Sequence, residues 1–76
     1  MKKGIYAVIK RYPQNGNDFE DWYYKPSDHY GIYNKLMEIT GNDHEISCEG
    51  ESWCEIASVG ETYTFREGEI EIREIK

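Results

Sequence analysis

The sequence predicts an α+β fold in two layers, with one amphipathic helix packed on an antiparallel sheet of four to six strands. Residues 25–41 carry apolar side chains at the spacing of a helix. The segments on either side are short, rich in β-branched and aromatic residues, and separated by turn-forming Gly and Asn. Helices and strands segregated along the chain in this way are typical of α+β domains.

The first strand is predicted in the stretch GIYAVIKRY, Gly4 to Tyr12. Apolar side chains occupy both alternating faces of this stretch, which indicates a central strand. The Asn15-Gly16 pair that follows favours a tight reversal.

The aromatic stretch FEDWYYK, Phe19 to Lys25, has two interpretations. It either returns as a second strand, although its alternation is poor, or lies over the sheet edge as a loop. In both cases four rings exceed what one small domain buries. We therefore expect at least one of Trp22, Tyr23 and Tyr24 to be substantially exposed.

The helix has recognisable ends and one apolar face. Ser27 or Asp28 can cap its N-terminus, and Gly41 stands where a left-handed residue ends many helices. Its packing face is predicted from apolar residues at i, i+4 and i+7, which are Ile32, Leu36 and Ile39.

The remaining residues predict two hairpins. HEISCEG and SWCEIASV flank a turn near Gly50-Glu51, and TYTFR and EIEIREI flank a turn at Glu67-Gly68. The second turn places Phe65 opposite Ile70. Because one helix covers only one sheet face, we expect the other face to be solvated or to bind a partner. By alternation that open face carries Trp53 and the carboxylates of Glu45, Glu49, Glu55, Glu69 and Glu71.

Charge is distributed unevenly along this single domain of residues 1–76, whose formal net charge is −6. Residues 1–37 contain 6 Lys/Arg and 4 Asp/Glu, a balance of +2, whereas residues 38–76 contain 3 and 11, a balance of −8. An acidic half repels nucleic-acid phosphates and attracts basic protein surfaces. We therefore expect a basic protein partner and no direct nucleic-acid partner.

The N-terminal segment and the apolar content bear on location. No run of about 20 apolar residues is present, so no membrane span or membrane partner is expected. Ile5 to Ile9 is too short for the apolar region of a secretory signal. These features predict a cytoplasmic protein.

Cysteine and histidine allow two further sites to be considered. A disulfide between Cys48 and Cys54 across the predicted turn is conceivable, but buried thiols beside Ile46 and Ile56 suit a reducing cytoplasm better. His29 and His44 could join the two cysteines in a zinc site. However, the closely spaced ligand pairs of a structural zinc site are missing from the sequence. We therefore expect no metal and no cofactor.

No catalytic residue is assigned, because no motif pairs a nucleophile with a base and carboxylate pairs arise by chance among 15 Asp and Glu. The hypothesis is a small non-enzymatic protein that binds and inhibits a basic, nucleic-acid-handling protein. Its carboxylates would stand in for phosphates, and Trp and Tyr would anchor the interface.

In size and charge, though in no motif, such a protein resembles phage or mobile-element inhibitors of bacterial defence, including anti-CRISPR proteins, and the immunity proteins of toxin systems. The alternatives are a structural subunit that self-associates through a strand edge, an acidic surface that only keeps the domain soluble, and a small enzyme. The expected partner-binding residues are Glu45, Glu49, Trp53, Glu55, Glu69, Glu71, Asp18, Glu20, Asp21, Trp22, Tyr23 and Tyr24.

Overall fold

The computed structural model describes residues 2–13 and 20–76. Two helices lie on one face of a four-stranded antiparallel sheet with strand order β2-β1-β4-β3, which confirms the α+β class. No helix in these two ranges is both long and apolar enough to cross a membrane. The elements are β1 (Gly4–Arg11), β2 (Glu20–Tyr24), α1 (His29–Thr40), α2 (His44–Ile56), β3 (Thr62–Phe65) and β4 (Gly68–Ile75).

The core lies between the helices and the inner face of the sheet. β1 pairs with both β2 and β4, so its predicted central position is confirmed. Fully burying one aliphatic side chain stabilises a fold by about 1.5–3 kcal/mol. The buried cluster consists of Ala7, Ile9, Ile32, Leu36, Cys54, Phe65, Ile70 and Ile72.

The aromatic stretch after the first strand forms β2, so the strand interpretation is confirmed for residues 20–24. Trp22, Tyr23 and Tyr24 are all half-buried, and the expectation of one substantially exposed ring is wrong. Long cations cover the rings: Lys35 Nζ lies 4.4 Å from the centroid of Trp22. The predicted turn at Asn15-Gly16, Asp18 and Phe19 lie outside the described residues.

α1 forms as the sequence predicts. The Asp28 carboxylate accepts a hydrogen bond of 2.9 Å from the Gly31 N–H and so caps the first turn. Gly41 ends the helix in the left-handed region, at φ 69°. Ile32 and Leu36 are fully buried against the sheet.

The hairpin predicted at residues 44–59 is wrong, because residues 44–56 form α2. The Asp43 carboxylate accepts a hydrogen bond of 3.1 Å from the Ile46 N–H and begins this helix. Gly50 is buried in the helix instead of forming a turn: a Cβ there would lie 2.7 Å from Leu36 Cδ1. The glycine therefore serves close packing of α2 on α1.

The β3–β4 hairpin forms with a different register. Its loop is Arg66-Glu67, and Phe65 pairs with Gly68 where Ile70 was predicted. Because the shift is two residues, every side chain keeps its predicted face. Gly68 belongs to the strand for a steric reason: a Cβ there would collide with the carbonyl oxygen of Lys10 in β1.

Candidate functional site

The sheet face opposite the helices is closed by its own side chains. Val8 is 0% exposed and Tyr6 is 8% exposed although both point away from the helices. The rings of Tyr6 and Tyr23 meet edge to face with centroids 6.2 Å apart. Arg73 donates a hydrogen bond of 3.0 Å to the Tyr23 hydroxyl. This face therefore buries its apolar residues without a partner.

Two of the five carboxylates predicted for the open face lie there, and both have partners. Glu71 lies 3.2 Å from Lys10 Nζ and 2.8 Å from Arg73 Nη2. The hydrogen bond from Arg73, and secondarily that from Lys10, lowers the pKa of Glu71 despite partial burial. Glu69 accepts a hydrogen bond of 3.3 Å from the Tyr12 hydroxyl. The open face is a mixed-charge network and not an acidic patch.

The other residues predicted for that face lie on α2, because residues 44–56 are helical. α2 contains four Glu and no Lys or Arg among its 13 residues. Residues at i, i+4, i+7 and i+11 of a helix share one side. In α2 such a row is exposed to solvent, and we call it the α2 stripe: Glu45, Glu49, Ser52 and Ile56.

Carboxylates of the α2 stripe lack cationic partners. Within residues 2–13 and 20–76, no Lys, Arg or His lies within 4.0 Å of the carboxylate of Glu45 or Glu49. Glu49 accepts a hydrogen bond of 3.2 Å from the Tyr63 hydroxyl. Burial, and secondarily this bond, raises the pKa of Tyr63. The negative charge of the stripe is thus left for solvent or for a partner.

Apolar surface adjoins these carboxylates. Ile56 is 82% exposed. Trp53 is half-buried and its ring lies 5.7 Å from that of Tyr63, centroid to centroid. An open groove of about 410 Å³ runs beside them, lined by Cys48, Glu49, Ser52, Trp53 and Ile56. The α2 stripe therefore combines negative charge with an apolar contact area.

The remaining predicted partner-binding residues do not join this surface. Glu20 pairs with Arg11 at 2.8 Å on the edge strand β2. Asp21 is exposed and stands opposite Lys10 in the register. Trp22 and Tyr24 pack on the core side, whereas Tyr23 lies on the open face. Glu55 is exposed on a different side of α2 from the stripe, where it contacts His29.

The two cysteines and two histidines considered for zinc do not come together in one cluster, and both cysteines are free thiols. Cys54 is in the core, where burial raises the pKa of its thiol to about 12. Cys48 is half-buried, and its sulfur lies 3.5 Å from His44 Nε2. The prediction that Ile56 lies on the core face is wrong, because its side chain is exposed. His44 also contacts the Tyr33 hydroxyl through Nδ1 at 2.7 Å.

Sequence reasoning missed a contact between His29 at the start of α1 and two carboxylates of α2. His29 Nδ1 lies 2.5 Å from a Glu51 oxygen, and His29 Nε2 lies 2.9 Å from a Glu55 oxygen. Glu51 and Glu55 share a helix side because they are four residues apart. The spacing was visible in the sequence, but a hairpin would have placed the two residues differently.

Comparison of the chain with protein-family models, with curated proteins and with solved structures gave no match. Inference of function therefore rests on the residues themselves. The α2 stripe and its groove combine exposed carboxylates that have no ion-pair partner in the described ranges with exposed apolar surface, and they form the candidate binding site.

Proposed function

We propose that this protein binds and inhibits a basic, nucleic-acid-handling protein and that it docks through the α2 stripe. One observation carries the proposal. α2 has four Glu and no Lys or Arg, and its exposed Glu45 and Glu49 lack a cation within ion-pair distance in the described part of the chain.

The two carboxylates of the α2 stripe repel each other, and a basic partner would remove this repulsion. Glu45 and Glu49 are four residues apart on one helix, or about 6 Å along its axis. Like charges at this spacing destabilise a helix by about 0.2–0.5 kcal/mol. A basic surface would neutralise both carboxylates, which would occupy the positions that phosphates take on such a partner.

The apolar part of the stripe would contribute binding affinity, which exposed charges alone do not provide. Rim charges chiefly set the association rate and the partner preference, whereas desolvated aromatic and aliphatic anchors carry much of the affinity. Trp53 lines the groove and Ile56 is exposed beside it. We expect Ile56 to be buried on binding, with the carboxylates around it.

In size and charge, such a protein resembles two classes of inhibitor. One is the phage or mobile-element inhibitors of bacterial defence, including anti-CRISPR proteins, and the other is the immunity proteins of toxin systems. The proposal is supported here by the helix geometry and not by sequence likeness.

The test compares three versions of the full chain as baits in bacterial lysates at about 0.1 M salt, where surface charges still act over about 10 Å. They are the wild type, Glu45→Lys/Glu49→Lys, and the control Glu67→Lys/Glu74→Lys, which changes the net charge equally elsewhere. Folding of each is checked by circular dichroism. A basic nucleic-acid-binding protein captured by the wild type and the control, but not by the stripe variant, is expected.

The captured protein is then purified, and its nucleic-acid binding is measured with increasing amounts of each version. Wild type and control are expected to displace nucleic acid, and the stripe variant is not. Equal capture by all three versions, or no specific capture from several bacterial hosts, would contradict the proposal. A mass that rises with concentration would instead favour self-association through an edge strand.

A further inference from the structure

A second cluster of polar side chains lies where α1 meets α2, away from the α2 stripe. His29 comes from the first residue of α1, and Glu51 and Glu55 come from consecutive turns of α2. One ligand atom of each residue lies within 4.8 Å of the others. Each side chain is held by a helix, so the cluster does not depend on a loop for its geometry.

We propose that His29, Glu51 and Glu55 bind a divalent transition-metal ion of the Zn²⁺ type. An imidazole nitrogen with two carboxylate oxygens is a donor set that Zn²⁺ accepts, at about 2.0–2.2 Å from the metal. Ligand atoms around such a tetrahedral ion are about 3.4 Å apart. The three side chains are therefore close to this spacing, and one of them must move for all three to surround a metal.

The contacts of His29 show which rotation is required. Glu51 faces Nδ1 and Glu55 faces Nε2, on opposite sides of the ring. Only one ring nitrogen can ligate the ion at this site, so one carboxylate must move to the side of the other. Glu55 has the freedom to do so because its side chain is 53% exposed, whereas that of Glu51 is 23% exposed. The geometry thus favours Nδ1 as the ligand, with Glu51 already on that side of the ring.

Space for the remaining coordination positions adjoins the cluster. An open pocket of about 170 Å³ is lined by His29, Tyr30, Tyr33 and Glu51. Three protein ligands leave one position of a tetrahedral ion for water. The pocket puts that water on the solvent side, so the ion would join two helices without displacing core residues.

A metal-free role is the competing explanation. With both ring nitrogens protonated, His29 can donate to both carboxylates and so tie α1 to α2 as an exposed ion-pair bridge. Pairs of this kind contribute about 0–1 kcal/mol. The two roles differ in their response to metal, since a bridge requires both nitrogens to carry hydrogens and a ligand requires one to be free.

The first experiment is calorimetric titration of Zn²⁺ into the untagged full chain. We expect one ion per chain for the wild type. Glu51→Gln/Glu55→Gln should weaken binding by tenfold or more, since loss of even an outer-shell partner costs about 10–100-fold. The matched control, Glu45→Gln/Glu49→Gln, changes two Glu with the same spacing on the same helix and should bind Zn²⁺ as the wild type does.

A further control addresses the neighbouring His44 and Cys48, which could bind Zn²⁺ themselves. The variant His44→Gln/Cys48→Ser is expected to keep the wild-type affinity. If this variant loses binding while Glu51→Gln/Glu55→Gln retains it, the proposal is wrong and the metal belongs to the other pair.

The second experiment needs no variant and therefore does not depend on variant folding. Nitrogen NMR of the wild-type histidine rings, with and without Zn²⁺, should show a large shift for His29 and a small one for His44. An unchanged His29 signal at saturating Zn²⁺, together with an unchanged melting temperature, would overturn the proposal and leave the ion-pair bridge. Because the cluster lies off the stripe, neither result bears on the proposed inhibition.

Discussion

The open sheet face and the α2 stripe both carry glutamates, yet they differ in how the charge is balanced. On the sheet, Glu71 lies between Lys10 and Arg73, and Val8, its partner in the strand register, is 0% exposed. On α2, Glu45 and Glu49 face solvent without an ion-pair partner in the described ranges. Carboxylates of the first kind contribute to the fold. Those of the second kind are available for binding.

The largest change in stability is expected from placing a charge at a buried position of the open sheet face. Val8→Asp places a carboxylate at a position that is 0% exposed, flanked by Tyr23 and Glu71. An unpaired buried charge costs several kcal/mol, so we expect a loss of about 3 kcal/mol or more in the free energy of unfolding. Urea denaturation measures it.

Thr64→Asp is the matched control for this change, because Thr64 is exposed on an outer strand of the same sheet. Because Thr64 stands opposite Glu69, its effect should be about 0.2–1 kcal/mol, well below that of Val8→Asp. Similar losses for the two variants would show that the open face is not sealed, and the contrast with the α2 stripe would disappear.

A smaller effect is expected at alkaline pH from the buried side of α2. Burial, and secondarily the charge of Glu51, raises the pKa of Cys54 from its ordinary 9.0 to about 12. Between these values the unfolded chain loses the thiol proton and the folded chain keeps it. Stability is therefore fully present below pH 9 and falls above it, by up to about 1.4 kcal/mol per pH unit from this group.

Urea denaturation from pH 8 to 10.5 measures this slope in the wild type, Cys54→Ala and Cys48→Ala. Cys54→Ala should flatten the slope, and Cys48→Ala, which removes the thiol outside the core, serves as the comparison. The tyrosines with raised pKa, such as Tyr63, contribute equally to all three proteins. The same slope in Cys54→Ala would contradict the assignment.

Acid titration tests the charge network of the open face. Hydrogen bonding to Arg73 holds the pKa of Glu71 below its ordinary 4.5. The unfolded chain therefore takes up this proton first, and the stability from Glu71 is present above pH 4.5 and lost as pH falls through the folded pKa. Glu71→Gln should reduce the stability lost at acid pH, measured by thermal melting. An equal loss in the wild type and in Glu71→Gln would contradict this role of Glu71.

The smallest effect has the opposite sign. Glu49→Gln removes the i, i+4 repulsion with Glu45 but keeps Glu45 in the first turn of α2, where its charge favours the helix dipole. This variant should stabilise the protein by about 0.2–0.5 kcal/mol at low salt, less at 1 M NaCl. Chemical denaturation at both salt concentrations measures this. A clear loss of stability would mean that the Glu49 carboxylate supports the fold, which would weaken the binding proposal.

The surfaces show why alternation alone predicted the wrong acidic patch. Glu69 and Glu71 were assigned to the open face correctly, because β4 is a strand. Glu45, Glu49 and Glu55 were assigned with them because residues 44–59 show a two-residue alternation at short range. The helical signal was also present: Ile46, Gly50 and Cys54 are spaced by four, and Asp43 precedes them as a cap. Gly50 favoured the turn interpretation, since glycine serves both turns and close helix packing.

The sequence by itself determined what depends on neighbours along the chain. Asp28 and Gly41 define the ends of α1, the side chains around Val8 define a central strand, and the C-terminal half carries the excess acid. Caps, alternation and charge balance are local properties, so a linear pattern is sufficient to predict them.

Tertiary structure decided what depends on contacts between distant residues. Packing of Gly50 on Leu36 accompanies the helix at 44–56, and the close approach of Gly68 to β1 accompanies the observed hairpin register. Pairing across strands left Glu71 neutralised, and the approach of α2 to α1 brought His29 to Glu51. Each outcome depends on which surfaces meet when the chain folds, and alternation or helical spacing specifies a face without specifying what it packs against.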